Sequence, residues 1–250
     1  MPGSLDGRRI LITGASSGIG EATADAVVAE GGAVALGARR KDRLDGIASR
    51  IEADGGRAVA IEADIGEEEQ ANALVARANE ELGGLDALVN NAGLMLLGLI
   101  QGADTSEWRR MIDVNLLGLL YCTNAALPVM RDGGGGDVVN VASVAGRIAA
   151  LGSAVYNMTK WGVVGFSEAL RQEGLHIGVR VTCVEPGFVE TELHGHNENP
   201  MIVERIEQAR EQTGKVLEAA DIANAVVYAI AQPKHVSINE IMVRPTGQGR

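Results

Sequence analysis

Three residues in the middle of the chain have the types and spacing needed for acid–base chemistry: Ser143, Tyr156 and Lys160. Positions four apart on a helix lie on one face, so the phenol and the ammonium can point into one site. A cation beside a phenol favours the phenolate and lowers a pKa that is normally about 10, which makes tyrosine an acid or base near neutral pH. A serine hydroxyl placed opposite can hold a carbonyl oxygen. Together they predict hydride transfer to or from an alcohol carbon, with Ser143 and Tyr156 contacting the substrate.

A glycine-rich turn comes directly after the first predicted strand, Arg9–Ile12, and opens the predicted helix Ile19–Glu30. Glycine permits a tight turn and a close backbone approach, and the free N–H groups of the helix N-terminus attract a pyrophosphate. Alone, such a turn can be purely structural, but between a strand and a helix it predicts phosphate binding. The predicted contacts are Gly14, Ser16, Ser17, Gly18, Ile19 and Gly20.

Several polar residues at predicted strand ends have two interpretations each. Asn91, Ala92 and Gly93 form either a polar turn or a wall of the cofactor crevice. Asp64, followed by Ile65, either caps the next helix or contacts an adenine. Asn115 lies inside a long apolar segment and, as a buried amide that needs partners, marks either a helix kink or part of a proton path.

Composition predicts one large domain, residues 1–250, because 46% of the residues are hydrophobic. The net charge of -11 disfavours binding to nucleic acid or an anionic membrane. We expect a cytoplasmic protein, since the N-terminus has no apolar signal core and no segment approaches the roughly 18 apolar residues of a membrane span. Cys122 and Cys183 are expected to be buried, which is compatible with a reducing compartment. His194 and His196 are expected to be solvated, so no metal site is predicted.

Strands alternate with helices along the whole chain, which predicts an α/β fold with a parallel sheet covered on both faces. Ligands are then expected beyond the carboxyl ends of the strands. The predicted strands are Arg9–Ile12, Ala33–Ala38, Ala58–Ala63, Leu85–Asn90, Asp137–Ala142, Val179–Val184 and Ile238–Val243. The predicted helices are Ile19–Glu30, Arg40–Ala53, Glu67–Leu82, Ser106–Met130 and Ser153–Glu173.

In combination, these motifs resemble the single-domain short-chain dehydrogenase/reductases over essentially the whole chain. The resemblance implies a Rossmann-type, doubly wound sheet of seven parallel strands in three α/β/α layers, and a nicotinamide cofactor. It implies that Tyr156 is the general acid/base, that Lys160 binds the nicotinamide ribose and lowers the pKa of Tyr156, that Ser143 holds the carbonyl, and that Asn115 supports a water-linked proton relay. By the same resemblance, the cofactor carboxamide region is contacted by Pro186, Gly187, Val189 and Thr191.

The end of the second strand predicts NADP(H) as the cofactor. Ala38 occupies the place where NAD-using relatives commonly have a carboxylate, and Arg39 and Arg40 follow it. An arginine can bind a 2′-phosphate with two charge-assisted hydrogen bonds. The alternative is a basic, solvated helix start.

The substrate is expected to be an uncharged, partly hydrophobic ketone or aldehyde, or the matching alcohol, because the segments expected to line its pocket are mainly apolar. A lid is expected at about residues 188–212.

The helices Ser106–Met130 and Ser153–Glu173 carry more apolar surface than one sheet face covers, which predicts a homotetramer. Three segments resemble a subgroup of the family that includes the reductase of clavulanic-acid biosynthesis: Leu94–Gly98, Met111–Gly118 and Arg244–Thr246.

Two other functions use similar residues. A nicotinamide-linked epimerase or dehydratase shares the Tyr/Lys chemistry, but such relatives usually have a wider glycine spacing and a long C-terminal substrate domain, which this chain lacks. A non-catalytic cofactor-sensing module would most readily have lost Ser143, Tyr156 or Lys160, and all three are present.

Overall fold

All seven strands form one parallel sheet, which confirms the predicted Rossmann-type α/β fold. The computed structural model describes residues 3–197 and 199–249, and the strand order is β3-β2-β1-β4-β5-β6-β7. The strands are β1 (Arg9–Thr13), β2 (Ala33–Ala38), β3 (Arg57–Glu62), β4 (Ala87–Asn90), β5 (Gly136–Val141), β6 (Val179–Pro186) and β7 (Glu240–Val243).

Helices cover both faces of the sheet, so the fold has three layers. On one face, α1 (Gly18–Ala29), α2 (Lys41–Ala53) and α8 (Ala219–Ile230) pack on β1 and β2 through an aliphatic core. On the other face lie α3 (Glu68–Leu82), α5 (Leu119–Asp132) and α6 (Ala154–Gly174). Ile10, Leu11 and Ile12 in β1 are fully buried, as expected for a central strand of a sheet covered on both faces.

The chain order reverses beside β1, and this reversal positions the site. The chain passes from β1 to β2 and β3 on one side and then returns to β4 on the other side of β1. In doubly wound sheets, a crevice opens at such a point beyond the carboxyl ends of the strands. The glycine turn after β1 and the Asn91–Gly93 segment after β4 face each other there.

The long apolar helix predicted at Ser106–Met130 is interrupted. It consists of α4 (Thr105–Ile112), a π-helical turn (Asp113–Gly118) and α5. Asn115 lies in the π turn, where the regular α-helical hydrogen-bond pattern is interrupted, and its place in a proton path stays a prediction. Leu120 in α5 is exposed, in keeping with a helix that carries more apolar surface than one sheet face covers.

By length and composition alone, the stretch Thr105–Asp132 could cross a membrane, contrary to the expectation that no segment approaches this limit. Core helices of soluble proteins can have the same length and apolar composition. Here Cys122, Ala126 and Met130 are buried against the sheet and α3. The apolar residues of α5 are therefore used, at least on this face, for packing within the domain.

Two helices between β6 and β7 are missing from the sequence prediction. Most of α7 (Pro200–Thr213) lies inside the expected lid, and the helix begins with an Asn199 side-chain cap followed by proline at its first position. α8 begins with a capping box between Glu218 and Asp221. Both cap signals are visible in the sequence, and they are the features that could have located these helices.

Candidate active site

A cavity of about 560 Å³ lies at the carboxyl ends of the strands. The predicted site residues line it, with Gly20 and Asn115 as the exceptions. The predicted residues on its wall are Gly14, Ser16, Ser17, Gly18, Ile19, Arg39, Arg40, Asp64, Ile65, Asn91, Ala92, Gly93, Ser143, Tyr156, Lys160, Pro186, Gly187, Val189 and Thr191.

The glycine turn is fastened to the end of β4 by a close backbone approach. Gly14 has φ +66°, and a Cβ there would come within 2.7 Å of the Ala92 Cα. The Thr13 hydroxyl accepts hydrogen bonds from the backbone N–H groups of Asn91 and Ala92, while the Asn91 amide donates to the carbonyls of Thr13 and Gly14. Gly20 lies beneath the turn, where a Cβ would meet the Gly14 carbonyl oxygen at 2.4 Å, and its contact with a cofactor stays a prediction.

Two arginines follow β2 at the cavity wall and differ in their partners. Arg40 donates to the Ser16 and Ser17 hydroxyls of the glycine turn, at 2.6–3.0 Å. Arg39 is more than half exposed, and its guanidinium lies 3.8 Å from Asp64. Asp64 accepts a hydrogen bond from the Gly66 backbone N–H and thus caps the turn, while its position on the wall also allows contact with a ligand.

The three chemical side chains converge where β5 ends. Tyr156 and Lys160 are buried on one face of α6, and the Lys160 Nζ lies 5.9 Å from the centre of the Tyr156 ring. Lys160 donates to the Val141 carbonyl at 2.9 Å. Ser143, just beyond β5, donates to the Pro186 carbonyl at 3.5 Å and accepts from the Ala145 N–H, and its hydroxyl lies close enough to Tyr156 to lower the pKa of that phenol. The helical i, i+4 geometry expected from the sequence is therefore present.

The pKa of Tyr156 moves in the direction opposite to the one expected from the sequence. Burial raises it to about 12, and the hydrogen bond with Ser143 opposes this rise only in part. Burial also lowers the pKa of Lys160 to about 8. Removing a phenol from water disfavours its anion, and the ammonium is bound to Val141 rather than to the phenol oxygen. In this structure Tyr156 is therefore a neutral phenol at neutral pH.

Asn115 supports the cavity wall from behind. Its amide donates to the Leu94 carbonyl and accepts from the Leu94 N–H, and it also donates to the Thr159 hydroxyl. All of these bonds are 2.7–3.1 Å long. This amide holds backbone next to Gly93 and does not line the cavity, and the part of Asn115 in a water-linked proton relay stays a prediction.

Asn157 has a similar role that the sequence interpretation missed. It is buried beside Tyr156 on α6 and donates to the carbonyls of Ala145 and Ile148, which fixes the loop after Ser143. In the sequence, the position of Asn157 directly after Tyr156 is the feature that could have indicated this role. Arg147, in the same loop, is bound by Glu185 and Glu240 and so is not free to bind an acidic substrate.

The part of the cavity next to Tyr156 is mainly apolar, and one of its residues corrects an expectation. His194 is partly buried rather than solvated, stacks on Phe188 with ring centres 4.5 Å apart, and contacts the Val189 carbonyl. Burial lowers its pKa. The side chain of His196 lies outside what the structure describes. The apolar lining consists of Leu94, Met95, Leu97, Val144, Ala145, Phe188 and Leu193.

The cavity fits a dinucleotide in size and in chemistry. Its volume is in the range of cofactor sites. α1 begins at Gly18, and the Ser17 side chain does not cap its N-terminus, so the first-turn N–H groups remain available to an anion. A Cβ at Gly14 would fill the close approach between the two turns. Among the described residues, no group of three or more His, Cys, Asp or Glu side chains could hold a metal ion.

Comparison with known proteins identifies the family. The family model "short chain dehydrogenase" matches residues 8–201. An uncharacterized oxidoreductase of Staphylococcus saprophyticus is 40% identical over 242 residues, covering 96% of both chains. The glycine betaine reductase ATRR of Emericella nidulans is 40% identical over 244 residues, which are 97% of this chain but 19% of that protein.

Solved structures agree with this result. An alcohol dehydrogenase from the archaeon Thermococcus sibiricus, complexed with 5-hydroxy-NADP, has a TM-score of 0.86 at 29% identity and covers 97% of this chain and 98% of its own. Other similar structures contain NADP, and one contains NADH. These comparisons do not distinguish the narrower subgroup suggested by the sequence. The chain belongs to the short-chain dehydrogenase family and is an oxidoreductase of that family.

Proposed function

We propose that this protein is an NADP(H)-dependent carbonyl reductase and alcohol dehydrogenase that acts on a ketone or aldehyde and the matching alcohol. The observation that carries the proposal is the convergence of Tyr156, Ser143 and Lys160 at one end of a cavity whose other end has the glycine turn and two arginines. The mainly apolar lining favours an uncharged, partly hydrophobic substrate.

The proton chemistry rests on the protonation state of Tyr156. When bound, the nicotinamide cofactor donates or accepts the hydride at the substrate carbon. As the carbonyl oxygen gains negative charge, the neutral Tyr156 phenol gives it a proton and the Ser143 hydroxyl donates a hydrogen bond to the same oxygen. Lys160, mostly protonated at neutral pH, provides a positive charge nearby. Burial favours the neutral phenol, which is the form that gives up a proton during reduction, and the phenolate is the form that accepts one during oxidation.

Two alternative functions have less support. An epimerase or dehydratase of this type usually needs a substrate domain, and the described chain folds around one sheet. A cofactor-sensing module does not need a tyrosine buried beside a serine and a lysine, and retaining this set is best explained by catalysis. Cys122 and Cys183 are buried free thiols, compatible with the cytoplasmic location that we also propose.

We further propose that residues 188–212 form a lid over the substrate. This segment includes the short helical turn Glu192–His196 and most of α7. It contacts the opposite wall through Asn197, whose amide accepts from the Leu97 N–H and donates to the Met95 carbonyl. Such polar contacts can break and re-form as substrate enters.

Replacement of Tyr156 by phenylalanine tests the proposed mechanism. Tyr156→Phe should lower kcat for carbonyl reduction by about 10²–10⁴-fold, because it removes the proton donor and keeps the ring. Binding of NADPH, measured by fluorescence titration, should change by no more than a few-fold. A variant with nearly wild-type turnover would show that another group supplies the proton.

The cofactor preference tests the assignment of the arginines. Wild-type protein should have a kcat/KM for NADPH at least about tenfold above that for NADH, or about 1.4 kcal/mol. The double variant Ala38→Asp with Arg39→Ile should lose most of this preference, because a carboxylate there repels a 2′-phosphate. A wild-type preference for NADH would contradict the assignment.

Exposed apolar side chains on two sides of the domain support a homotetramer. Met158 and Trp161 are exposed on α6, and Tyr228 and Met242 are exposed at α8 and β7. Two separate self-complementary surfaces generate a tetramer. Sedimentation velocity should give about four times the chain mass of 26.1 kDa, and Trp161→Glu should yield dimers. A wild-type monomer at micromolar concentration would refute this proposal.

A further inference from the structure

Glu192, a residue not singled out from the sequence, connects the lid to helix α2. Its carboxylate accepts a hydrogen bond from Arg40 at 2.8 Å and another from Arg43 at 2.7 Å. Arg40 and Arg43 lie about 150 positions before Glu192 in the chain. One exposed acidic side chain of the lid therefore binds the two arginines at the start of α2.

Arg40 is the shared element of this arrangement. Its Nε and Nη2 donate to Ser16 and Ser17 in the glycine turn, and its Nη1 donates to Glu192. A phosphate that binds at the adenosine end of the cavity is attracted by the positive charge of Arg40, which Glu192 already neutralises in part. The two arginines hold the pKa of Glu192 at about 2, so this carboxylate stays ionised at every working pH.

We propose that Glu192 is a specificity-determining residue, which competes with the 2′-phosphate of the dinucleotide for Arg40 and Arg43. This inference rests on the proposed function and extends it. Both groups are anions that seek the same guanidinium groups, so binding of the phosphate displaces the carboxylate. A nucleotide without the 2′-phosphate leaves Glu192 in place. Displacement also frees the lid from α2, so the phosphate controls how firmly the lid is held.

The chain offers a matched control for this idea. Glu190 lies in the same segment, carries the same charge and is equally exposed, but its partner is Arg210 in α7. Glu190→Gln removes one negative charge from the same segment without touching Arg40 or Arg43. Any general effect of charge on nucleotide binding therefore appears in both variants, and a competitive effect appears only in Glu192→Gln.

The test uses calorimetric binding of two fragments, adenosine 2′,5′-bisphosphate and 5′-AMP, so that it does not depend on turnover. Glu192→Gln should bind the bisphosphate about fivefold more tightly than wild type, at the upper end of what an exposed ion pair contributes. Binding of 5′-AMP should change by less than about twofold, as expected when no competing charge is involved. Glu190→Gln should leave the ratio of the two affinities unchanged.

The lid provides a second measurement. Trypsin cleavage at Arg205 and Arg210 should become faster in wild type when the bisphosphate is added, and 5′-AMP should have no such effect. Glu192→Gln should be cleaved at the faster rate without nucleotide.

Three results would overturn the inference. These are an unchanged affinity ratio in Glu192→Gln, weaker binding of the bisphosphate by this variant, or the same shift in Glu190→Gln. If wild type bound both fragments and any of these results followed, the proposed function would stand and only the role of Glu192 would fail. If wild type bound neither fragment, both would fail.

Discussion

The site depends on the burial of a phenol and an ammonium on one turn of α6. A charged amine removed from water needs a partner, and Lys160 has the Val141 carbonyl at the end of β5. Burial opposes ionisation of both groups, so the pKa of Tyr156 rises to about 12 and that of Lys160 falls to about 8. The pair therefore consists of a neutral phenol that can donate a proton and an ammonium group whose pKa burial lowers to about 8.

Buried amides fix the surroundings of this pair. Asn115 holds the backbone of Leu94 from the π turn, and Asn157 holds the loop that follows Ser143. Both asparagines have partners at hydrogen-bond distance, which is what makes a buried polar side chain rigid rather than costly. The π turn brings Asn115 to this position, in keeping with the frequent occurrence of such turns at functional sites.

Local spacing was sufficient to predict much of the fold and most of the cavity wall. The glycine turn, the strand ends and the Tyr156/Lys160 pair are short-range patterns, and a parallel sheet gathers strand ends at one edge. The direction of the Tyr156 pKa could not be predicted, because burial depends on how the whole domain packs. The bond between Arg40 and Glu192 joins residues 152 positions apart, and no local pattern indicates it. The partial burial of His194 likewise depends on its contact with Phe188 in the folded lid.

The protonation state of Tyr156 is the most direct measure of the central claim, which is that a buried neutral phenol donates the proton. The tyrosinate absorbance of wild type minus that of Tyr156→Phe, followed from pH 6 to pH 10, reports this one residue without any substrate. With a pKa of about 12, about 1% of the Tyr156 side chains should be ionised at pH 10, so the difference should stay close to zero over the whole range. A tyrosinate signal with a midpoint between about pH 7 and pH 9 would contradict the claim, since it would show that the charge of Lys160 outweighs burial.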